Sequence, residues 1–77
     1  QVNLRVHRDV ARDTQVSNYT YGHYDEQPDG EYYLQKYQTY SLEAFGRWYL
    51  SIADRSEIIG PPELKTVVRE LIAKIKL

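Results

Sequence analysis

Residues 61–77, PPELKTVVRELIAKIKL, set the strongest constraint on the fold. Leu64, Val67, Val68, Leu71, Ile72 and Ile75 recur at helical spacing and form one apolar face. The leading prolines suit a first helical turn, and Glu63 suits the positive end of the helix. Each of those six side chains gains ~1.5–3 kcal/mol when it leaves water. A stripe of this kind has to be covered, so the helix is predicted to lie against a sheet. The chain has 77 residues and no cysteine. It is read as a single small domain whose core must come from packing alone, without disulfides or thiolate metal sites.

The sheet is legible upstream. QVNLRVH, residues 1–7, alternates Val2, Leu4 and Val6 with Asn3, Arg5 and His7, the period of a half-buried strand. RDVARDTQVS, residues 8–17, reads as a short helix with Val10, Ala11 and Thr14 on one face. NYTYGHYDE, residues 18–26, and EYYLQKYQTY, residues 31–40, read as two strands of a hairpin. QPDG, residues 27–30, is their expected turn. Ser41 is placed to cap the next helix, in which Leu42, Phe45, Tyr49 and Ile52 share a face with Trp48 beside it. SEIIG, residues 56–60, reads as a short strand stopped by Gly60 and Pro61. The expected class is therefore α+β: a ferredoxin-like βαββαβ sandwich over residues 1–77 with an additional C-terminal helix.

Composition narrows the functional classes. The formal charge is −1, whereas a domain that grips phosphate backbones usually carries a clear cationic excess. No apolar run approaches the ~20 residues that span a bilayer, and no signal-peptide pattern opens the chain. No membrane association is expected, and a reducing, cytoplasmic setting is. The chain lacks methionine even at position 1, which leads us to expect a piece of a longer protein.

The tripeptide Trp48-Tyr49-Leu50 spells the letters that name the WYL-domain regulators of bacteria, yet its periodicity is that of a helix. Asp29-Gly30, the following strand, SLEAFGRWYLSIAD, EIIGPPELK and the closing helix together resemble a different part of those proteins, their C-terminal extension or WCX module. The matching residues are Trp48, Leu50 and Ser51, then Ile58, Ile59, Pro62, Glu63 and Leu64. The resemblance spans roughly residues 29–77; the earlier strand and helix agree in order and character. Ala53-Asp54 stand where the family often has glycine, so this helix must stop differently, with Asp54 or Ser56 turning the chain. The resemblance implies a non-enzymatic C-terminal fragment of a transcriptional regulator. It implies a homodimer in the full-length protein and DNA contact through an N-terminal helix-turn-helix. The central WYL domain of such proteins senses ligands, single-stranded DNA in some members, and this module supports dimerisation and frames the effector surface.

The candidate partner or effector surface comprises Arg5, His7, Arg12, Tyr33, Lys36 and Tyr37. Eight tyrosines are many for this length, and most fall on the expected hairpin. If Leu34 points to the helices, Tyr33 and Tyr37 face outward with Gln35 and Thr39; in the other register Tyr32, Lys36 and Tyr40 lie outside. Either way the open face is expected to carry rings. These could stack on bases, making a freestanding single-stranded nucleic-acid module the alternative function. Packing against a neighbouring domain, or pairing across strands, fits the charge balance better. Arg5, His7, Arg8 and Arg12 are interleaved with Asp9 and Asp13, a pattern more often merely solvated. His7, Asp9, Asp13, His23, Asp25 and Glu26 lack the spacing of a zinc helix or a calcium loop. No phosphate loop or nucleophile elbow is present. No metal, cofactor or catalytic residue is expected.

Overall fold

The computed structural model describes residues 1–13 and 21–77. Among them the order is β1 (Val2–His7), α1 (Arg8–Asp13), β2 (His23–Asp29), β3 (Tyr32–Tyr37), α2 (Leu42–Tyr49), a single 3-10 turn (Ala53–Arg55), β4 (Ser56–Gly60) and α3 (Pro62–Ala73). The strands form one four-stranded sheet in the order β2-β3-β1-β4. Every neighbouring pair is antiparallel. The molecule is thus α+β, with β1 and β3 central and β2 and β4 at the edges.

Alternation along β1 decides which side is covered. Val2, Leu4 and Val6 are fully buried toward the helices, and their partners on β3 are Tyr37, Gln35 and Tyr33. Phe45, Trp48 and Tyr49 of α2 close over them, with Ile52, Ile58, Leu64 and Val68 completing the core. Tyr37 sits at its aromatic centre, 4.9 Å from the Phe45 ring and 5.5 Å from the Trp48 ring. Tyr21 stacks on Trp48 at 5.1 Å. Trp48-Tyr49-Leu50 is accordingly the end of a helix, with Trp48 and Tyr49 buried in the core and Leu50 at the C-cap.

The expected hairpin turn is shifted. Gln27, Pro28 and Asp29 belong to β2, and the loop is the two residues Gly30 and Glu31 between the paired Asp29 and Tyr32. Gly30 has φ +64° and Glu31, like every described non-glycine residue, does not have a positive φ, the pattern of a II′ hairpin turn. Pro28 is tolerated because β2 is an edge strand, where a missing N–H breaks no inner ladder. The helix expected over 8–17 is described as far as Asp13. The rest of that segment lies outside the described residues, as do residues 18–20 with Tyr19.

The Ser41 hydroxyl accepts a hydrogen bond from the Ala44 amide at 3.1 Å, as its position foretold. Ser41→Ala should lower stability by ~1 kcal/mol, read as a shift in the urea midpoint, because a donor of the first turn loses its partner. The helix is shorter than its periodicity suggests. The Ser51 hydroxyl donates to the Trp48 carbonyl at 2.7 Å, competing with the helical ladder. The Ser56 hydroxyl then ties back to the Ile52 carbonyl, so serines rather than a glycine turn the chain into β4.

α3 departs most from expectation. Leu64, Val68 and Leu71 are buried, but Ile72 and Ile75 are 52% and 53% exposed. The helix packs on α2 and on β4 at the edge, not across the sheet, and Ile75 lies beyond its last turn. The apolar stripe is therefore longer than the surface it covers.

Candidate functional site

The side of the sheet away from the helices is built by the same alternation. Asn3, Arg5 and His7 of β1 stand opposite Lys36, Leu34 and Tyr32 of β3. Asp25, Gln27 and Asp29 of β2 are the partners of Lys36, Leu34 and Tyr32. On β4, Glu57 pairs with Arg5. Asn3 pairs with Gly60 and Leu4 with Ile58, so Ile59 is the extra residue of a bulge.

Arg5 is the hub of this face. Its guanidinium lies 4.3 Å from the centre of the Tyr32 ring. Its Nε is 3.3 Å from an Asp29 carboxylate oxygen and its Nη1 is 4.0 Å from Glu57. The His7 ring meets Tyr32 edge-on at 5.5 Å, and His7 Nδ1 accepts from the Asp9 amide at 3.3 Å. Lys36 Nζ lies 3.9 Å from Asp25. The cations thus each have a carboxylate or ring beside them, and the local field is nearly balanced. A shallow depression continues the face, lined by Gln1, Asn3, Leu34, Lys36 and Ile59.

Of the six residues singled out in the sequence, Arg5, His7 and Lys36 are brought together on this face. Tyr37 and Tyr33 are not. Tyr37 is fully buried toward the helices and Tyr33 packs partly buried against the core. The expectation of an open face rich in rings holds only for Tyr32 among the β3 tyrosines, because Val2 and Val6 draw Tyr37 and Tyr33 inward as their cross-strand partners. Arg12 lies on α1, 3.5 Å from Asp9 and 4.0 Å from Asp13, as part of a mixed-sign helix surface. Asp29, Glu57 and Ile59, which complete the face, were missed. Their only sequence signal was alternation on edge strands whose pairing partners local pattern does not name.

Behind the face runs a polar chain, buried at Tyr37 and Gln35 and exposed at Glu26. The Tyr37 hydroxyl donates to Gln35 Oε1 at 2.6 Å, and Gln35 Nε2 donates to Glu26 Oε1 at 2.7 Å. His23 Nε2 stands 3.7 Å from the same carboxylate oxygen. Burial, and secondarily the Glu26 charge, push the Tyr37 phenol far above its ordinary range. Its exposed end, Glu26, lines a concavity of about 280 Å³ with Arg8, Asp9, Arg12 and Tyr33, whereas Tyr37 and Gln35 are essentially inaccessible and Tyr37 is held neutral.

A second concavity lies between β4 and α3, about 410 Å³ in volume, and its apolar lining includes Tyr49, Ile58, Val68 and Ile72. Glu57, Lys65 and Arg69 stand along it. Among the described residues no group of three or more His, Asp or Glu is disposed to hold a metal ion. No helix among them is long and apolar enough to cross a membrane. Compared with known proteins, the chain matches no family model, no curated protein and no solved structure.

Proposed function

We propose that the chain is the accessory C-terminal domain of a WYL-type bacterial transcriptional regulator, with a ferredoxin-like fold, acting in the cytoplasm. It catalyses nothing itself. It supports self-association of the regulator and frames part of an effector surface, while DNA is read by another domain. The strand order β2-β3-β1-β4 with antiparallel neighbours, and α2 placed between β3 and β4, support the fold reading.

One observation carries the functional reading: one face of the sheet is roofed by helices and the other is left open by the described residues, with charges already matched to one another. Such a face suits contact with another protein surface, where balanced charge gives register and specificity. It suits phosphate poorly, since a nucleic-acid site needs cations free to displace counterions. The single-stranded reading also loses its stacking platform, because Tyr33 and Tyr37 point inward and Tyr32 already carries Arg5 on its ring. In the regulator, an effector that binds one arrangement of the dimer better than another would shift the population and re-pose the DNA-reading domains.

The test pairs sedimentation of the 77-residue chain with a titration against a labelled short single strand at low salt. Reversible self-association with no salt-sensitive oligonucleotide binding is the expected result. A chain that stays monomeric at every concentration leaves the accessory role empty. Tight binding that falls with salt and disappears in Tyr32→Ala would establish the nucleic-acid function in its place.

A further inference from the structure

We infer that the groove between β4 and α3 binds a small amphipathic carboxylate, an aliphatic chain carrying one anionic head. Lys65 and Arg69 hold the head, and Ile72 packs on the chain. The inference goes beyond the self-association proposed above and does not depend on it. The floor of the groove belongs to the helix-covered side of the sheet, away from the open face.

Two cations line this groove without a counter-charge. Lys65 and Arg69 stand four residues apart on α3, and like charges at that spacing work against the helix. Three and four positions from either, the chain supplies Pro61, Pro62, Thr66, Val68, Ile72 and Ala73, and no carboxylate. Glu57 borders the groove from β4 but turns away from it. It pairs with Arg5 and lies 4.0 Å from that guanidinium, on the opposite face. Among the described residues Lys65 and Arg69 therefore have no ion-pair partner. Arg47 on α2 shows the contrast, with Glu43 one turn away at 3.0 Å.

Beside the cations the lining is apolar. Tyr49, Ile58 and Val68 make the floor, and Ile72 stands over it 52% exposed. The hydroxyls of the floor are used within the fold. That of Tyr49 donates to the Ser56 carbonyl at 3.2 Å, and that of Ser56 to the Ile52 carbonyl. Lys65, Arg69 and Ile72 follow one another at i, i+4 and i+7, a single stripe about 10 Å long. This order gives a ligand its direction. Two donors one turn apart suit the two oxygens of one carboxylate, and the chain behind it runs on to Ile72. A bare anion would leave Ile72 in water, and a neutral hydrocarbon would leave the cations unpaired. The volume, about 410 Å³, is that of a small-molecule site, ~300–1,000 Å³. A protein partner needs roughly 20–30 residues a side, far more than line this groove.

Titration of the intact chain with sodium octanoate, followed by the methyl resonances of Ile58, Val68 and Ile72, tests this. Acetate supplies the head without the chain, and octylammonium the chain with the opposite charge. Octanoate should shift all three residues to saturation, and the other two probes should bind at least about tenfold more weakly. Lys65→Gln combined with Arg69→Gln should weaken octanoate by at least about tenfold, the size expected when charge-assisted hydrogen bonds are lost. Arg47→Gln removes a cation outside the groove and should leave binding unchanged. All three side chains are exposed, so circular dichroism should be the same in every variant. Octanoate that moves none of the three residues overturns the inference. So does octylammonium that binds as tightly as octanoate, or octanoate binding that ignores the double variant. A chain that refuses octanoate but takes up an acidic peptide at these methyl groups also overturns it, by giving the groove a macromolecular partner. Each of these results leaves the sedimentation result, and with it the association role, where it stands.

Discussion

Gly22→Ala is expected to destabilise the chain by ~3 kcal/mol or more, well beyond the usual cost of a single surface methyl group. Gly22 has φ +90°, a conformation that side chains rarely adopt. An added Cβ would land on the carbonyl oxygen of Gln38 and within 2.9 Å of its carbonyl carbon. The same pair is hydrogen-bonded, the Gln38 amide donating to the Gly22 carbonyl at 2.9 Å, so the two segments cannot part without breaking a backbone bond. On one side Tyr21 stacks on Trp48; on the other His23 begins β2. A domain of this size has only about 4–12 kcal/mol of stability in total. Gly30→Ala is the control. Gly30 also has a positive φ, +64°, but nothing lies within 4 Å of its added Cβ, so only backbone strain of ~1–2 kcal/mol remains. Urea titrations of both variants separate the steric from the conformational cost. If Gly22→Ala costs no more than Gly30→Ala, the close approach of residues 22 and 38 is not what holds this corner.

The elements with a strong local period were legible in the sequence. β1 announces itself through Val2, Leu4 and Val6, α2 through Ser41 and its aromatic face, and α3 through Leu64, Val68 and Leu71. Boundaries were less legible where a tertiary partner decides them. Pro28 reads as a turn residue because its missing N–H is normally a break, and only the edge position of β2 makes it harmless. Ile72 fits the apolar period of α3 as well as Leu71 does. Its exposure follows from where the helix docks, on α2 and β4, which helical spacing does not encode.

The open face was legible only by half, for a related reason. Arg5 and His7 could be placed from β1 alone, since the apolar partners of that strand leave one choice of side. β3 offered no such choice: Tyr32, Tyr33, Leu34 and Tyr37 give either face an aromatic or aliphatic residue. Pairing with β1 resolves the matter, setting Tyr37 opposite Val2 and Tyr33 opposite Val6. Gln35 is then carried to the covered side between them, a polar residue that sequence reasoning would hold outside. It is accepted there because its amide has a partner at both ends, Tyr37 and Glu26.

That polar chain supports the second large prediction. Tyr37→Phe should cost ~1–3 kcal/mol at neutral pH, more than the loss of one ordinary hydrogen bond, because Gln35 Oε1 keeps its burial and loses its donor. The cost should also shrink with alkali. In the unfolded chain the phenol ionises near pH ~10. In the folded protein, burial first and the Glu26 charge second raise it well beyond that. Above pH ~10 the folded state therefore holds a proton that the unfolded state has released, and stability must fall as pH rises. For this one group the decline is up to about 1.4 kcal/mol per pH unit, with the full contribution present below pH ~10. The phenylalanine variant lacks that proton, so its stability curve should be flatter and should close on the parent curve across the alkaline range. All other tyrosines are common to both proteins and cancel in the difference. Urea titrations of parent and variant from neutral pH upward give that difference directly. Parallel curves would mean that Tyr37 ionises as freely when folded as when unfolded, and that the phenol is not sealed between Gln35 and the aromatic core.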